Sequence, residues 1–279
     1  MKMIQLVPGI TSSVIGLGCA PVLGSVDAST SKRIIHLCLD HGINHFDLAR
    51  SYGFGKAEAL VGKVLHNRRS NVVLASKFGY KASFIAQQLG FLKPAVRRLK
   101  QFMAKKSQGS NENRSPSHAN FGHLLKPVIY NKKEMIKSLE TSLIELRTDY
   151  LDYYFLHDPV ECIRNIDEIF ETADRFKSEG KIKAFGISYS RKNGNLHAQY
   201  MNNFDLQQSD LPPFDLGYTE VVSKRKSDPN IFFSLLRGRL GQNEPRDILL
   251  KIRQDFPNSV FLISMFNESH LMQNISHFN

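Results

Sequence analysis

Segments patterned as β-strands alternate with segments patterned as helices along almost the whole chain, and this alternation restricts the fold more than any other feature. Residues 14–18, 44–47, 72–76 and 150–156 have strand character, as do 182–187, 204–208, 231–235 and 259–263. Helical spacing lies between them. The stretch 31–41 sets Ile34, Ile35, Leu37 and Cys38 on one face and stops at Gly42. Residues 57–65, 133–146, 163–176, 247–256 and 268–275 read the same way. Strand 72–76 is a continuous apolar run with two Val, the pattern of a sheet buried on both faces. Alternating βα units imply a parallel sheet flanked by helices, either open and doubly wound or closed into a barrel. Eight strand-like runs favour the (β/α)8 TIM barrel, and 279 residues suit one such domain over 1–279.

The same sequence sets several functions aside. Its longest apolar runs are far short of the ~18 residues of a membrane-spanning helix. The start, MKMIQLVPGITSSVIGLG, places Pro8 and Gly9 inside its apolar stretch after one lysine. That is a poor secretory signal, so a cytoplasmic protein without stable membrane insertion is expected. Cys19, Cys38 and Cys162 are widely spaced, and the ten histidines show no metal-ligand spacing, so reduced thiols and no metal site are expected. The net charge of +11 is localised. Residues 81–133 hold eleven Lys and Arg against the single acid Glu112, which gives that stretch +10 of the total. The nearly neutral remainder argues against a nucleic-acid-binding surface.

Chemistry in a barrel sits where strands reach their C-terminal edge. Strand two ends in Asp47, with Tyr52 five residues on, and strand three ends in Lys77. Strand four ends in His157, Asp158 and Pro159, and strand five in Ser188 and Tyr189. Singly, each has an ordinary reading: a capping Asp, a packing Tyr, a solvated Lys, a satisfied His. Together at successive strand ends they form a set suited to carbonyl reduction, which needs a hydride at carbon and a proton at oxygen. A phenol, with an ordinary pKa near ~10, must be tuned to donate near neutrality. A Lys77 ammonium favours the phenolate and lowers that pKa, while Asp47 holds Lys77 in place and charged. His157 can hydrogen-bond the carbonyl oxygen as negative charge develops. No side chain supplies hydride, so a cofactor must.

These residues carry a resemblance. GINHFDLARSYGFGKAEALVGKVL (42–65) resembles the aldo-keto reductase signature, and VVLASKFG (72–79) resembles that family's lysine strand. LDYYFLHDP (151–159) is similar to its histidine strand, in the His-Asp-Pro form of L-galactose or threo-aldose dehydrogenases, and GKIKAFGIS (180–188) to the strand after it. The likeness covers about 10–80 and 130–190. It implies an NADP- or NAD-dependent oxidoreductase acting on an aldehyde, ketone or sugar. Tyr52 would be the proton donor, Lys77 and Asp47 its tuning pair, and His157 the carbonyl orienter.

The resemblance further implies a cofactor set of Ser188, Gln207, Ser234, Leu236, Gly238, Ser264 and Asn274. Ser188 would hold the nicotinamide carboxamide. Tyr189 stands where the family has Asn, and Gln207 through Asp210 offer the expected Gln with no aromatic beside it. Ser234, Leu235, Leu236, Arg237 and Gly238 resemble the Ser-Pro-Leu pyrophosphate loop without its Pro. Ser264 and His270 occupy positions that carry Lys or Arg in NADP-preferring members, and Asn274 is retained. Without fixed cations, selectivity for the extra phosphate falls, which weakens NADP relative to NAD. Two other readings follow from this divergence: a non-redox enzyme with a changed cofactor, and a nucleotide-sensing binding subunit.

The basic stretch falls in a long insertion, about 81–131, between strand three and its helix. Phe91 to Met103 is patterned as an amphipathic helix, and 107–122 is polar and low in apolar content. It reads either as a solvated loop or as a lid or docking surface for something acidic. Anionic substrates, an acidic protein partner and a membrane surface are the candidates.

Overall fold

In a computed structural model the chain is described except at residues 84–124, 212–213, 215–216, 237–243 and 279. Eight parallel strands close into a barrel: β1 (Ile15–Gly18), β2 (His45–Asp47), β3 (Val73–Phe78), β4 (Leu151–His157), β5 (Ile182–Tyr189), β6 (Leu206–Asp210), β7 (Asn230–Phe233) and β8 (Ser259–Ile263). Each strand pairs with its sequence neighbours, and β8 pairs with β1 through Leu262 and Gly16. Of the two arrangements the alternation allows, the chain adopts the closed one. Helices α1 (Ala28–Asp40), α2 (Ala57–Leu65), α3 (Lys132–Leu146), α4 (Ile166–Ser178), α5 (Tyr218–Arg225) and α6 (Pro245–Asp255) lie between successive strands. The 3-10 turns Arg191–His197 and Met201–Asn203 join β5 to β6, and α7 (Glu268–Phe278) follows β8.

Strand periodicity sorts the apolar residues into two cores. One face of the strands, with Ile15, Leu17, Phe46, Leu74, Tyr154, Phe185, Phe232 and Phe261, packs outward against the helices. The opposite face, with Val73, Ala75, Tyr153, Phe155, Ala184, Leu206, Ile231, Val260 and Leu262, fills the barrel. Gly186 makes room for this layer, since a Cβ there would lie 2.6 Å from the Phe155 ring. The inner face continues toward the mouth at every second residue, so Ala75 is followed by Lys77, Phe155 by His157 and Leu206 by Gln208.

A hairpin of Met3–Val7 and Ile10–Ser13, which the sequence patterns do not reveal, precedes the barrel. Leu6 and Ile10 join the inner core, so the hairpin plugs the end opposite the mouth. Several bounds also move. The sixth strand runs from Leu206 to Asp210 rather than over 204–208, because Phe204 packs outward against Phe170 and Phe185. Helix α1 begins earlier than expected, where the Asp27 carboxylate accepts the Thr30 N–H at 2.9 Å.

The long insertion lies between β3 and α3, where its two ends pair as an antiparallel ribbon of Tyr80–Ala82 and Leu125–Pro127. The amphipathic pattern over 91–103 and the polar run 107–122 lie outside the described residues. Among the described residues no helix is long and apolar enough to cross a membrane, and no group of His, Cys, Asp and Glu is arranged to hold a metal.

Candidate active site

Asp47, Lys77 and His157 reach the mouth because each ends the inner face of its strand, on β2, β3 and β4 respectively. Tyr52 arrives differently, at the start of a tight turn over Tyr52–Gly55. Gly53 takes φ +57 there, and a Cβ would stand 2.6 Å from the Val22 carbonyl oxygen, so only glycine fits. The Lys77 ammonium donates to Asp47 Oδ2 at 2.6 Å, to the Leu48 carbonyl at 2.8 Å and to the Tyr52 hydroxyl at 3.3 Å. All three of its protons are therefore placed. The His157 ring stands edge-on to Tyr52, with centroids 5.9 Å apart, and edge-on to Tyr80 at 5.4 Å.

Burial sets the protonation states. It is the largest influence on Tyr52 and leaves the phenol above its ordinary value although Lys77 pulls the other way. Lys77 does pull the phenol down, as the sequence chemistry expects, yet the net shift is upward. Desolvation of the phenolate outweighs the ammonium, whose field Asp47 partly cancels. Tyr52 is accordingly a protonated donor at neutral pH. Desolvation also pulls on Lys77, but Asp47 and Tyr52 together raise it, so it remains an ammonium. Burial raises Asp47 as well, against the pull of Lys77 and Gln208.

His157 is pushed down to about 3 by burial and by Lys77, so it is neutral at physiological pH. Its buried Nδ1 has no partner among the described residues. Burial likewise brings His45, below the mouth, to about 3. The unfolded chain protonates both near ~6.5. The folded state therefore loses stability as pH falls from that value toward 3, by up to about 1.4 kcal/mol per pH unit for each histidine. Urea midpoints at pH 7 and pH 4 should differ accordingly, and His45→Gln should flatten the slope by one proton. A midpoint independent of pH would remove this account.

The loop after β4 explains the Asp and Pro that follow His157. Asp158 sits at φ +46, its N–H donates to the Ser188 carbonyl at 2.6 Å, and its carboxylate accepts the Ser190 N–H at 2.8 Å. Asp158 therefore ties the mouth ends of β4 and β5 together. Tyr130, beyond the ribbon, donates to the His157 carbonyl at 2.8 Å, and Gly79 leaves it the space.

The expected cofactor residues divide. Ser188 is buried on the inner face of β5, and its register partner on β6 is Gln208. Gln207 faces outward, where Tyr189 donates to its Oε1 at 3.4 Å and Arg225 donates to the Tyr189 hydroxyl at 3.3 Å. Gln207 and Tyr189 thus stand outside the mouth, and Gln208 is the glutamine inside it, donating to Asp47 Oδ1 at 3.1 Å. Parity with the apolar Leu206 was the signal that could have found it. The same parity puts Phe233 on the inner face at the end of β7, packed on the inner core, so the mouth does contain an aromatic there. Ser234 follows it at φ +56 and Leu236 is half-buried, while Gly238 lies outside the described residues. Ser264 follows β8 and donates to the Gly18 carbonyl at 3.1 Å. Asn274 lies half-buried on α7, whose first residue Glu268 pairs with Arg33.

A family model described as the aldo/keto reductase family matches residues 14–203. The chain belongs to that family. This aldo/keto reductase chain is 28% identical to aldo-keto reductase YhdN of Bacillus subtilis over 256 residues, 83% of this chain and 61% of YhdN. It is 30% identical to the oxidoreductase YqkF of the same bacterium over 181 residues, 65% of this chain and 46% of YqkF. The chain therefore spans less than two thirds of the length of these relatives. The solved structure of an aldo-keto reductase of Bacillus halodurans in its holo form superposes with a TM-score of 0.69 at 23% identity, covering 99% of this chain and 90% of that one. That of an aldo-keto reductase of Klebsiella pneumoniae in complex with NADPH gives 0.64 at 19%, covering 99% and 89%. At these identities the structural likeness is one of fold.

Proposed function

We propose that this aldo/keto reductase chain, read over 1–279 as one barrel unit, is a nicotinamide-dependent oxidoreductase acting on a carbonyl or alcohol, with Tyr52 as proton donor. The observation that carries this reading is the Lys77 ammonium, held between Asp47 at 2.6 Å and the Tyr52 hydroxyl at 3.3 Å. A carbonyl oxygen beside Tyr52 and His157 takes the phenolic proton as its negative charge grows. Lys77 stabilises the phenolate left behind, and the neutral His157 donates a hydrogen bond to the same oxygen. Asp47 keeps the ammonium aimed. In the reverse direction the phenolate accepts the alcohol proton.

The mouth fits a nicotinamide. Gln208 Oε1 is buried without a partner among the described residues, and Ser188 stands beside it, the polar groups a carboxamide needs. Phe233 offers a flat apolar face for the ring. When bound, the nicotinamide supplies or accepts the hydride. Residues 264–274, where the resemblance places the adenosine phosphate, contain no Lys or Arg, and their Glu268 is an acid. This favours NAD over NADP. Substrates are small aldehydes, ketones or sugars, and the His-Asp-Pro form supports a sugar.

Fluorescence titration with NADH and NADPH tests the reading. NADH should bind in the micromolar range and NADPH no more tightly. Absence of binding by both at millimolar concentration would overturn it. Binding of either without turnover of any aldehyde, ketone or sugar would instead point to a nucleotide-sensing subunit.

A further inference from the structure

Asp47 divides its two oxygens between partners from opposite sides of the molecule. Oδ2 accepts from Lys77 on the adjacent strand β3, and Oδ1 accepts from Gln208 Nε2 at 3.1 Å. Strands β2 and β6 face each other across the closed barrel, with three strands between them either way round. The Gln208 amide therefore reaches Asp47 through the barrel interior, where it is 1% exposed. Its orientation follows from chemistry, since an amide oxygen turned toward the carboxylate would meet repulsion while the NH2 group donates. That orientation leaves Oε1 buried and unpartnered among the described residues. Packing alone gives no reason for such a residue at an inner-face position whose strand neighbour is Leu206.

With both oxygens engaged, the carboxylate cannot rotate about its bond to Cβ. Lys77, fixed by Oδ2 and the Leu48 carbonyl, then keeps its third proton on Tyr52. We propose that Gln208 is a positioning residue that acts through Asp47, holding the carboxylate from across the barrel so that Lys77 stays on the Tyr52 hydroxyl. The proposal rests on the oxidoreductase reading above. Gln208 also opposes the effect of burial on Asp47, helping to keep it charged. The titratable groups that act on Tyr52 are Lys77, Asp47 and the Cys19 thiol, with the His157 ring at its edge. Of these, Asp47 is the one that Gln208 touches among the described residues.

Gln208→Met conserves volume and removes the donor. The Tyr52 phenol is followed without cofactor by NMR of ring-labelled tyrosine, assigned with Tyr52→Phe. Its midpoint should rise by about half a unit to one unit in Gln208→Met, because a loosened Lys77 favours the phenolate less. With the nicotinamide saturating, so that the loss of its Gln208 contact is not read as lost binding, kcat should fall about tenfold with KM for the carbonyl within about twofold. Gln208→Glu should recover kcat at low pH, where the introduced acid is protonated and donates to Asp47, and lose it as pH rises. Gln208→Met should not recover at any pH. A folded Gln208→Met with wild-type Tyr52 titration and kcat would overturn the proposal. Should that variant not fold, a Gln208→Glu pH–rate profile matching wild type would do so. Failure of the underlying reading looks different: Lys77→Met would then leave the Tyr52 titration unmoved as well.

Discussion

Tyr52→Phe should reduce kcat by about a thousandfold while leaving cofactor affinity and fold intact. The phenol is the one hydroxyl that the Lys77 ammonium touches among the described residues. Removing it leaves the carbonyl oxygen with a neutral His157 that can share but not release a proton at neutral pH. A well-placed general acid contributes about a hundred- to ten-thousandfold. The phenylalanine ring can keep its edge contact with His157, and the lost hydrogen bond is a single 3.3 Å one. Unfolding midpoints should therefore change little. Steady-state rates with the preferred nicotinamide, alongside fluorescence binding, check this. A rate within tenfold of wild type would mean that another group donates the proton.

The second large effect is on stability. Lys77→Met should destabilise the protein by about 3–5 kcal/mol, because it strands the Asp47 carboxylate inside the barrel. Lys77 is 1% exposed and Asp47 4% exposed, so water reaches neither. Asp47→Asn alone should cost a similar amount by stranding the ammonium. The double variant Asp47→Asn/Lys77→Met should recover most of the loss, since no buried charge remains unpaired, yet it should stay inactive. Urea unfolding of all four proteins gives the coupling directly. The Lys77→Met defect should also shrink as pH falls. Burial raises the folded-state pKa of Asp47 above its unfolded value, so protonation relieves the strain at low pH and the penalty returns as pH rises. Additive single effects, or an equal penalty at pH 4 and pH 8, would show that the pair does not share a buried charge.

Much of the fold was legible from local pattern. The alternation of strands and helices, and the polar residues closing successive strands, are properties of short segments. Asp47, Lys77 and His157 could be placed at one edge because strand periodicity is a local rule. The N-terminal hairpin escaped because its residues alternate weakly and are held by contact with the barrel floor, as Leu6 and Ile10 show. Helix α5 escaped because of its eight residues only Tyr218 is buried.

The sequence by itself therefore determined the alternating βα order that favours a barrel, the catalytic candidates and the concentration of charge in one insertion. These depend on periodicity, composition and the chemistry that particular side chains can perform. Only the tertiary structure decided which glutamine enters the mouth, that Phe233 supplies its aromatic, and that Tyr189 turns away. It also decided the state of Tyr52. Sequence chemistry expects the ammonium to lower the phenol, whereas the folded mouth raises it, because desolvation depends on how completely distant segments exclude water. The bond from Gln208 to Asp47 joins residues separated by 161 positions and by the width of the barrel. No local pattern encodes a contact made by closing a sheet on itself.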